Sequence, residues 1–173
     1  MATVQDKSII PLHRPSLSEK LFFFISGIIS SVPLTLFVNT FADYLLVALP
    51  QFYATVLSVA IFAPFIEEFA KAFPLFYRHG ETERSIFTLG FLAGLGFGVF
   101  EFFTYVIALG VPIPFRLPGL FFHGASTSIT AYGIANKQTM NFYMIAVALH
   151  FSNNFFAILG LFGLTGTIVV VAI

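Results

Sequence analysis

The sequence contains no cysteine and no tryptophan, and it has few charged residues. Without cysteine the chain can form no disulfide, no thiolate metal site and no cysteine nucleophile. Only 9% of its 173 residues are charged, against about 25% in an average soluble domain. Eight basic residues balance eight acidic ones. With neither a basic surplus nor a charge run, we expect no nucleic-acid partner.

Long hydrophobic runs take the place of the missing charge: 58% of the residues are apolar and the mean hydropathy is +0.94. Unbroken runs of this kind are typical of helices surrounded by lipid. A helix needs about 20 mostly apolar residues to cross the hydrocarbon. Five stretches qualify, namely residues 21–38, 52–76, 86–109, 119–135 (with a start a few residues earlier) and 142–160. We therefore expect an all-α membrane protein, a polytopic bundle of five transmembrane helices, or six if residues 161–173 form a segment of their own.

The chain begins with a polar arm, residues 1–20, which we expect to precede a single transmembrane domain over residues 21–173. The first apolar run lacks a small-residue cleavage site, which predicts a retained helix and not a removed signal peptide. The positive-inside rule gives the orientation. With the N-terminus in the cytoplasm, Arg116 is the only basic residue outside the predicted spans that lies on the opposite side. The cytoplasmic basic residues are then Lys7, Arg14, Lys20, Arg78, Arg84 and Lys137. These features predict a multi-pass protein of the cell membrane.

Several ionisable residues remain inside the predicted spans, where each charge costs about 2.5–3.5 kcal/mol. They are Glu67, Glu68, Lys71, Glu101, His123 and His150. Because a short chain carries so many of these costs, we expect the ionisable side chains to face one another or a water-filled cavity. Counting about 1.5 Å per residue from the span ends places both histidines, Glu67 and Glu101 in a central slab of the membrane.

Helical phase directs these polar groups towards helix–helix contacts. A small-xxx-small stripe on the third span allows a neighbouring helix to approach closely. It consists of Gly90, Gly94 and Gly98. At about 100° per residue, Glu101 lies about 20° from the start of this stripe. His123 shares a face of the fourth span with Thr127, and His150 shares a face of the fifth with Asn154. Together these faces predict one polar pocket within the membrane.

The second span carries two prolines, Pro64 and Pro74, each of which removes a backbone hydrogen bond. A carbonyl freed at membrane depth must lie beside protein or water. Glu67 and Glu68 point about 100° apart on this helix, so we expect them to have different roles. Lys71 lies within one turn of both and can neutralise either.

Four short motifs contain these polar residues, one in each span from the second to the fifth. They are Glu67-Glu68-Phe-Ala-Lys71, Phe97-Gly-Val-Phe-Glu101, His123-Gly-Ala-Ser-Thr127 and His150-Phe-Ser-Asn-Asn154. In this order they resemble the EExxK, FxxxE and two HxxxB motifs of the PrsW-type membrane proteases, where B is a small or polar residue. The motif-bearing core covers about residues 52–160.

The PrsW-type proteases belong to a clan of glutamate-dependent intramembrane proteases. This clan also includes the CAAX-processing endopeptidases of prenylated proteins and relatives linked to bacteriocin self-immunity. The CAAX branch has histidine in the second motif, so Glu101 favours the PrsW side. Phe102 departs from the asparagine that many PrsW proteins have there, which puts an oxyanion role at that position in doubt.

The resemblance implies an intramembrane endopeptidase that hydrolyses a peptide bond of a membrane-embedded or lipidated protein with a glutamate-activated water. Peptide hydrolysis needs an activated water and donors for the tetrahedral oxyanion. In this hypothesis Glu67 or Glu68, together with Glu101 or His123, activates water. His150 and Asn154 stabilise the oxyanion, and Lys71 and Thr127 support the site. No cofactor is expected. The alternative is zinc held by His123, His150 and a glutamate without an HExxH motif.

Two other functional classes fit the same polar residues. The first is a non-catalytic membrane scaffold subunit, since the clan is related to the polytopic scaffold of γ-secretase. The second is a small proton-linked transporter, because chains of Glu and His also relay protons. The sequence lacks the inverted repeat common in transporters. A scaffold captures a partner and cleaves nothing, whereas a transporter gives ion flux in proteoliposomes.

Overall fold

The computed structural model describes residues 14–77 and 82–161. Within these ranges the chain is built of helices joined by short turns and contains no strand. The helices are α1 (Leu17–Leu46), α2 (Gln51–Tyr77), α3 (Glu83–Ala108), α4 (Ile113–Ala135) and α5 (Thr139–Leu161). Four of them, α1, α2, α3 and α5, are long and apolar enough to cross a membrane. This architecture agrees with the predicted all-α membrane class.

The first helix is longer than predicted. The sequence predicts an end at residue 38, where the apolar run stops, but α1 continues for about two more turns to Leu46. Two polar contacts support the extension: the Thr40 hydroxyl donates to the Leu36 carbonyl, and the Asp43 carboxylate accepts from the Ser58 hydroxyl of α2. The predicted boundary was therefore wrong, because side-chain contacts allow polar residues within the helix.

The fourth helix begins at Ile113, several residues before the apolar core of the predicted span, as expected from its short length. The predicted sixth segment and most of the N-terminal arm lie outside the described residues.

The distribution of polar side chains in this bundle is the reverse of that in a soluble protein. Large apolar side chains lie on the outside, among them Phe37, Phe41, Leu45, Phe103 and Ile107. Polar and charged side chains lie inside, among them Ser31, Thr35, Glu68, Lys71, Arg116 and Thr127. A lipid environment explains both, since it solvates the apolar surface and penalises exposed polar groups.

The glycine stripe of α3 lies directly against the backbone of α4. A Cβ atom built on Gly94 would come within 2.1 Å of the carbonyl oxygen of His123, and one on Gly98 within 2.9 Å of that of Leu120. A side chain at either position would collide with backbone atoms, so the predicted close approach is present. It fixes the height and rotation of the α4 segment that carries His123.

The second proline of α2 leaves a carbonyl that another helix satisfies. Pro74 has no N–H to donate to the carbonyl of Ala70, one turn earlier. The hydroxyl of Ser31, a fully buried residue of α1, donates to that oxygen at 2.9 Å. The gap in the hydrogen bonding of α2 thereby becomes a point of attachment for α1.

Ser31→Ala is expected to lower the free energy of unfolding by about 1–3 kcal/mol, because the buried carbonyl of Ala70 would lose its donor. Unfolding of the purified protein in mixed micelles, followed by circular dichroism, measures this change. In a Pro74→Ala background the helix regains a backbone N–H, so the same substitution should cost less. An equal loss in both backgrounds would contradict this role for Ser31.

Candidate active site

Polar side chains from all five described helices line one internal cavity of about 240 Å³. The lining includes Asn39 and Asp43 of α1, Ser58 and Glu67 of α2, Glu101 and Tyr105 of α3, Arg116 and His123 of α4, and His150 and Asn154 of α5. Most of the site residues predicted from the sequence therefore line the same cavity. The exposed side chain of Asp43 lies on the wall of this cavity and also on the surface of the bundle.

Glu68 lies behind the cavity wall and is fully buried. One of its oxygens, Oε1, accepts hydrogen bonds from three groups: Lys71 Nζ at 2.7 Å, Ser126 Oγ at 3.1 Å and His150 Nδ1 at 2.8 Å. These donors come from α2, α4 and α5. Glu68 thus joins three helices, and Lys71, which could have paired with either glutamate, forms its ion pair with this one.

Glu67 differs from Glu68 in that its side chain lines the cavity. The Oε2 atoms of both glutamates are buried without a hydrogen-bond partner among the described residues, but that of Glu67 lies on the cavity side. The nearest ionisable group across the cavity is His150, whose Nε2 lies 3.8 Å from that oxygen. The two adjacent glutamates therefore differ in accessibility and in their bonding, as the angle between them predicts.

The hydrogen bond to Glu68 determines which nitrogen of His150 carries a proton. A carboxylate only accepts, so His150 Nδ1 must donate to Glu68. In a neutral imidazole the other nitrogen then has a free lone pair. With His150 neutral, its Nε2 and Glu67 Oε2 are two acceptors that face each other across 3.8 Å; with His150 protonated, the same two atoms form an ion pair.

His123 has a partner on each ring nitrogen. Its Nδ1 lies 2.9 Å from Lys71 Nζ, and its Nε2 lies 2.6 Å from Glu101 Oε2. An ammonium group has only donors, so Nδ1 accepts and the ring proton sits on Nε2, which donates to Glu101. Thr127 acts on the same segment, since its hydroxyl donates to the His123 carbonyl at 2.9 Å.

Asn154 satisfies the gap that the first proline leaves in α2. The segment Val56–Phe62 is π-helical, so the missing N–H of Pro64 corresponds to the carbonyl of Val59, five residues earlier. Asn154 Nδ2 donates to that carbonyl at 2.9 Å. One of its two amide hydrogens is thereby committed to the carbonyl of Val59, about two turns before Glu67.

Arg116 is part of the site although the sequence assigned it no role there. It was predicted only as a basic residue on the non-cytoplasmic side, and it lies in the first turn of α4, only 3% exposed. Its Nη2 forms an ion pair with Glu101 Oε2 at 3.1 Å, and its guanidinium lies 3.7 Å from the centre of the Tyr105 ring. One signal of this role was present in the sequence: Arg116 is a basic residue without an acidic neighbour in sequence, beside the start of a short span.

Residues 16–173 match the model of a protein family that is described as PrsW family intramembrane metalloprotease. The chain belongs to the PrsW family. A search among curated proteins and a search among solved structures found no match. The match covers all five described helices, confirms the resemblance carried by the four motifs, and makes the protein a membrane protease, that is, a peptide hydrolase.

The family description includes a metal, and the cavity contains a set of side chains that could hold one. Glu67, His123 and His150 each offer a ligand atom, and these atoms lie within 4.8 Å of one another. Two histidines and a glutamate form a ligand set common in catalytic zinc sites. The carboxylate of Glu68 on His150 Nδ1 is also the usual support for a histidine ligand.

His123 limits the fit of this set to a metal. Its Nδ1 accepts from the ammonium of Lys71 and its Nε2 donates to Glu101, so neither nitrogen has a free lone pair. In this arrangement the PrsW-family site offers two free ligand atoms, on Glu67 and His150, and not three. A third ligand would require His123 to give up one of its partners.

Proposed function

We propose that this PrsW-family chain is an intramembrane endopeptidase that cleaves a membrane-embedded or lipidated protein with a water activated by Glu67. One observation carries the proposal: Glu67 Oε2 and His150 Nε2 face each other at 3.8 Å on the wall of a polar cavity, with no direct hydrogen bond between them. Glu68, which the sequence left as an equal candidate, is committed to its three donors.

A water molecule satisfies this pair of acceptors. Because neither Glu67 nor the lone pair of His150 donates, a water between them would give one hydrogen to each. Its own lone pairs would then point away from both groups, towards a peptide carbonyl in the cavity. As the water oxygen bonds to the carbonyl carbon, Glu67 takes a proton from the water and the carbonyl oxygen becomes an oxyanion. When the carbonyl reforms and the carbon–nitrogen bond breaks, Glu67 returns that proton to the leaving nitrogen.

The other ionisable groups hold this pair in place. Glu68 orients His150 through Nδ1, and Lys71 joins Glu68 to His123. His123 in turn contacts Glu101. This continuous chain of polar contacts runs across α2, α3, α4 and α5. We assign Glu68 and Lys71 a positioning role, and we assign His150 the role of acceptor for the water in place of the oxyanion role first expected.

The orientation in the membrane belongs to this proposal. We propose that α4 also crosses the bilayer as a fifth span, since its polar residues Arg116 and His123 are buried inside the bundle and not turned towards lipid. Arg14, Lys20 and Arg84 line one surface cavity at the starts of α1 and α3. That end carries the basic excess, so we place it, with the N-terminus, in the cytoplasm of a cell-membrane protein.

Comparison of membrane-protein termini tests the proposed function and identifies a substrate. Cells that express the chain are compared with cells that express Glu67→Gln at equal levels, and new N-termini are identified by mass spectrometry. We expect new termini within or next to transmembrane segments in the first sample only. Identical termini in both samples, together with a stable partner in pull-downs, would favour a scaffold.

Metal removal provides a separate prediction. Since the site offers two free ligand atoms, we expect the purified chain to hold no stoichiometric zinc by elemental analysis and to retain cleavage after treatment with EDTA or phenanthroline. When bound, such an ion would polarise the peptide carbonyl and acidify its water. Loss of cleavage on chelation, restored by zinc, would show that Glu67, His123 and His150 bind a metal.

A further inference from the structure

Arg116 has hydrogen-bond donors that no described residue uses. Its Nη2 pairs with Glu101, but Nε and Nη1 are buried without a partner among the described residues. The Tyr105 ring covers the face of the guanidinium, whereas N–H groups point outwards from its edge. A buried donor left unsatisfied costs about 1–3 kcal/mol, and more when it is charged. These two donors therefore require an acceptor that arrives from elsewhere.

The proposed reaction supplies such an acceptor. When water adds to a peptide carbonyl, the carbonyl oxygen becomes an oxyanion that needs donors. Of the two residues first expected to provide them, Asn154 keeps only one free amide hydrogen, since the other donates to the Val59 carbonyl, and His150 turns its Nε2 towards Glu67. His123 Nε2 already donates to Glu101. Arg116 lines the same cavity as Glu67 and His150.

We propose that Arg116 binds the carbonyl oxygen of the scissile peptide through one of its two unpaired nitrogens, Nε or Nη1, and stabilises the oxyanion that forms there. This inference rests on the proposed function. The N–H groups of these two nitrogens point away from each other, so one carbonyl oxygen accepts from one of them. The contacts of the guanidinium with Glu101 and Tyr105 fix that donor before substrate binds. Fixed donors of this kind stabilise developing charge without further reorganisation.

Arg116→Met is the first variant to test, with a peptide that spans the cleavage site found by terminal proteomics. Removal of an oxyanion donor lowers kcat by about 100- to 1,000-fold, and we expect a loss of that size with little change in KM. A phosphinic isostere of the scissile bond, which carries the tetrahedral anion, should lose affinity by a similar factor. A neutral ethylene isostere, which has no oxygen at that position, should bind both forms alike.

Two controls separate this role from a structural one. Arg84→Met makes the same substitution at an exposed arginine and should leave kcat unchanged. Glu101→Gln removes the partner charge, so Arg116→Met in that background leaves no buried carboxylate unpaired. We expect the phosphinic isostere to lose the same affinity on Arg116→Met in both backgrounds. If the loss disappears in the Glu101→Gln background, Arg116 serves only to neutralise Glu101, and the inference is wrong.

The outcomes also distinguish this inference from the proposed function. If the unsubstituted chain cleaves the peptide and Arg116→Met cleaves it equally fast, the inference fails and the protease remains. If the unsubstituted chain generates no new termini in membranes, the proposed function itself fails. A higher KM with unchanged kcat would show that Arg116 binds only the ground state of the substrate and would overturn the oxyanion role.

Discussion

Glu67→Gln is expected to remove nearly all cleavage while leaving the protein folded. A positioned base contributes typically about 100- to 10,000-fold to the rate, and an amide cannot accept the proton from water. Folding should persist because Glu67 Oε2 has no partner among the described residues that the substitution would break. The measurements are the rate of cleavage in detergent or proteoliposomes and the unfolding midpoint of the same sample.

Glu68→Gln is the matched control, since it makes the same substitution one residue away. Here the charge that holds Lys71, His150 and Ser126 is lost, so stability should fall together with activity. Breaking a buried ion pair from one side costs about 3–5 kcal/mol. If Glu68→Gln is stable and inactive while Glu67→Gln cleaves normally, the roles of the two glutamates are reversed.

Gly94→Ala is expected to reduce both stability and activity by large factors. The added Cβ would lie 2.1 Å from the His123 carbonyl oxygen and 2.6 Å from Thr127 Oγ1, so α3 and α4 must separate. Overpacking of this kind costs about 1–3 kcal/mol or more. The separation moves His123 relative to Glu101, and a displacement of about 1 Å near a catalytic site can cost about 100-fold in rate.

Gly124→Ala serves as the comparison, because its Cβ would meet only the edge of the Phe91 ring, at 2.8 Å. A side chain can move aside where a backbone carbonyl cannot. We expect a small effect on the unfolding midpoint and on kcat in this variant. Equal effects of the two alanines would mean that the backbone contact at Gly94 does not position His123.

Much of this arrangement could be predicted from the sequence. Hydropathy located the helices, and the phase of Gly94 and Glu101 on the third span predicted that the glutamate faces a neighbouring helix. The cost of buried charge predicted that the ionisable residues meet. These inferences depend on distances along one helix, which 3.6-residue periodicity determines to within about one turn.

The remaining features depend on contacts between helices, which periodicity does not report. The difference between Glu67 and Glu68 arises from Ser126 and His150, which lie on α4 and α5. Arg116 was given no role in the site because the boundary of a short span is uncertain by a turn, and one turn separates a loop from a buried position. Asp43 was missed for the same reason at the end of α1.

The bonds that complete α2 have a consequence for how the protein is made. The Val59 carbonyl accepts its hydrogen bond from Asn154, which lies 95 residues further along the chain. Likewise, the hydrogen bond that fixes His150 to Glu68 joins residues 82 apart. Since a chain is synthesised from its N-terminus, both bonds must wait until α5 has entered the bilayer. The nascent chain therefore cannot assemble the candidate active site before its last described helix is in place.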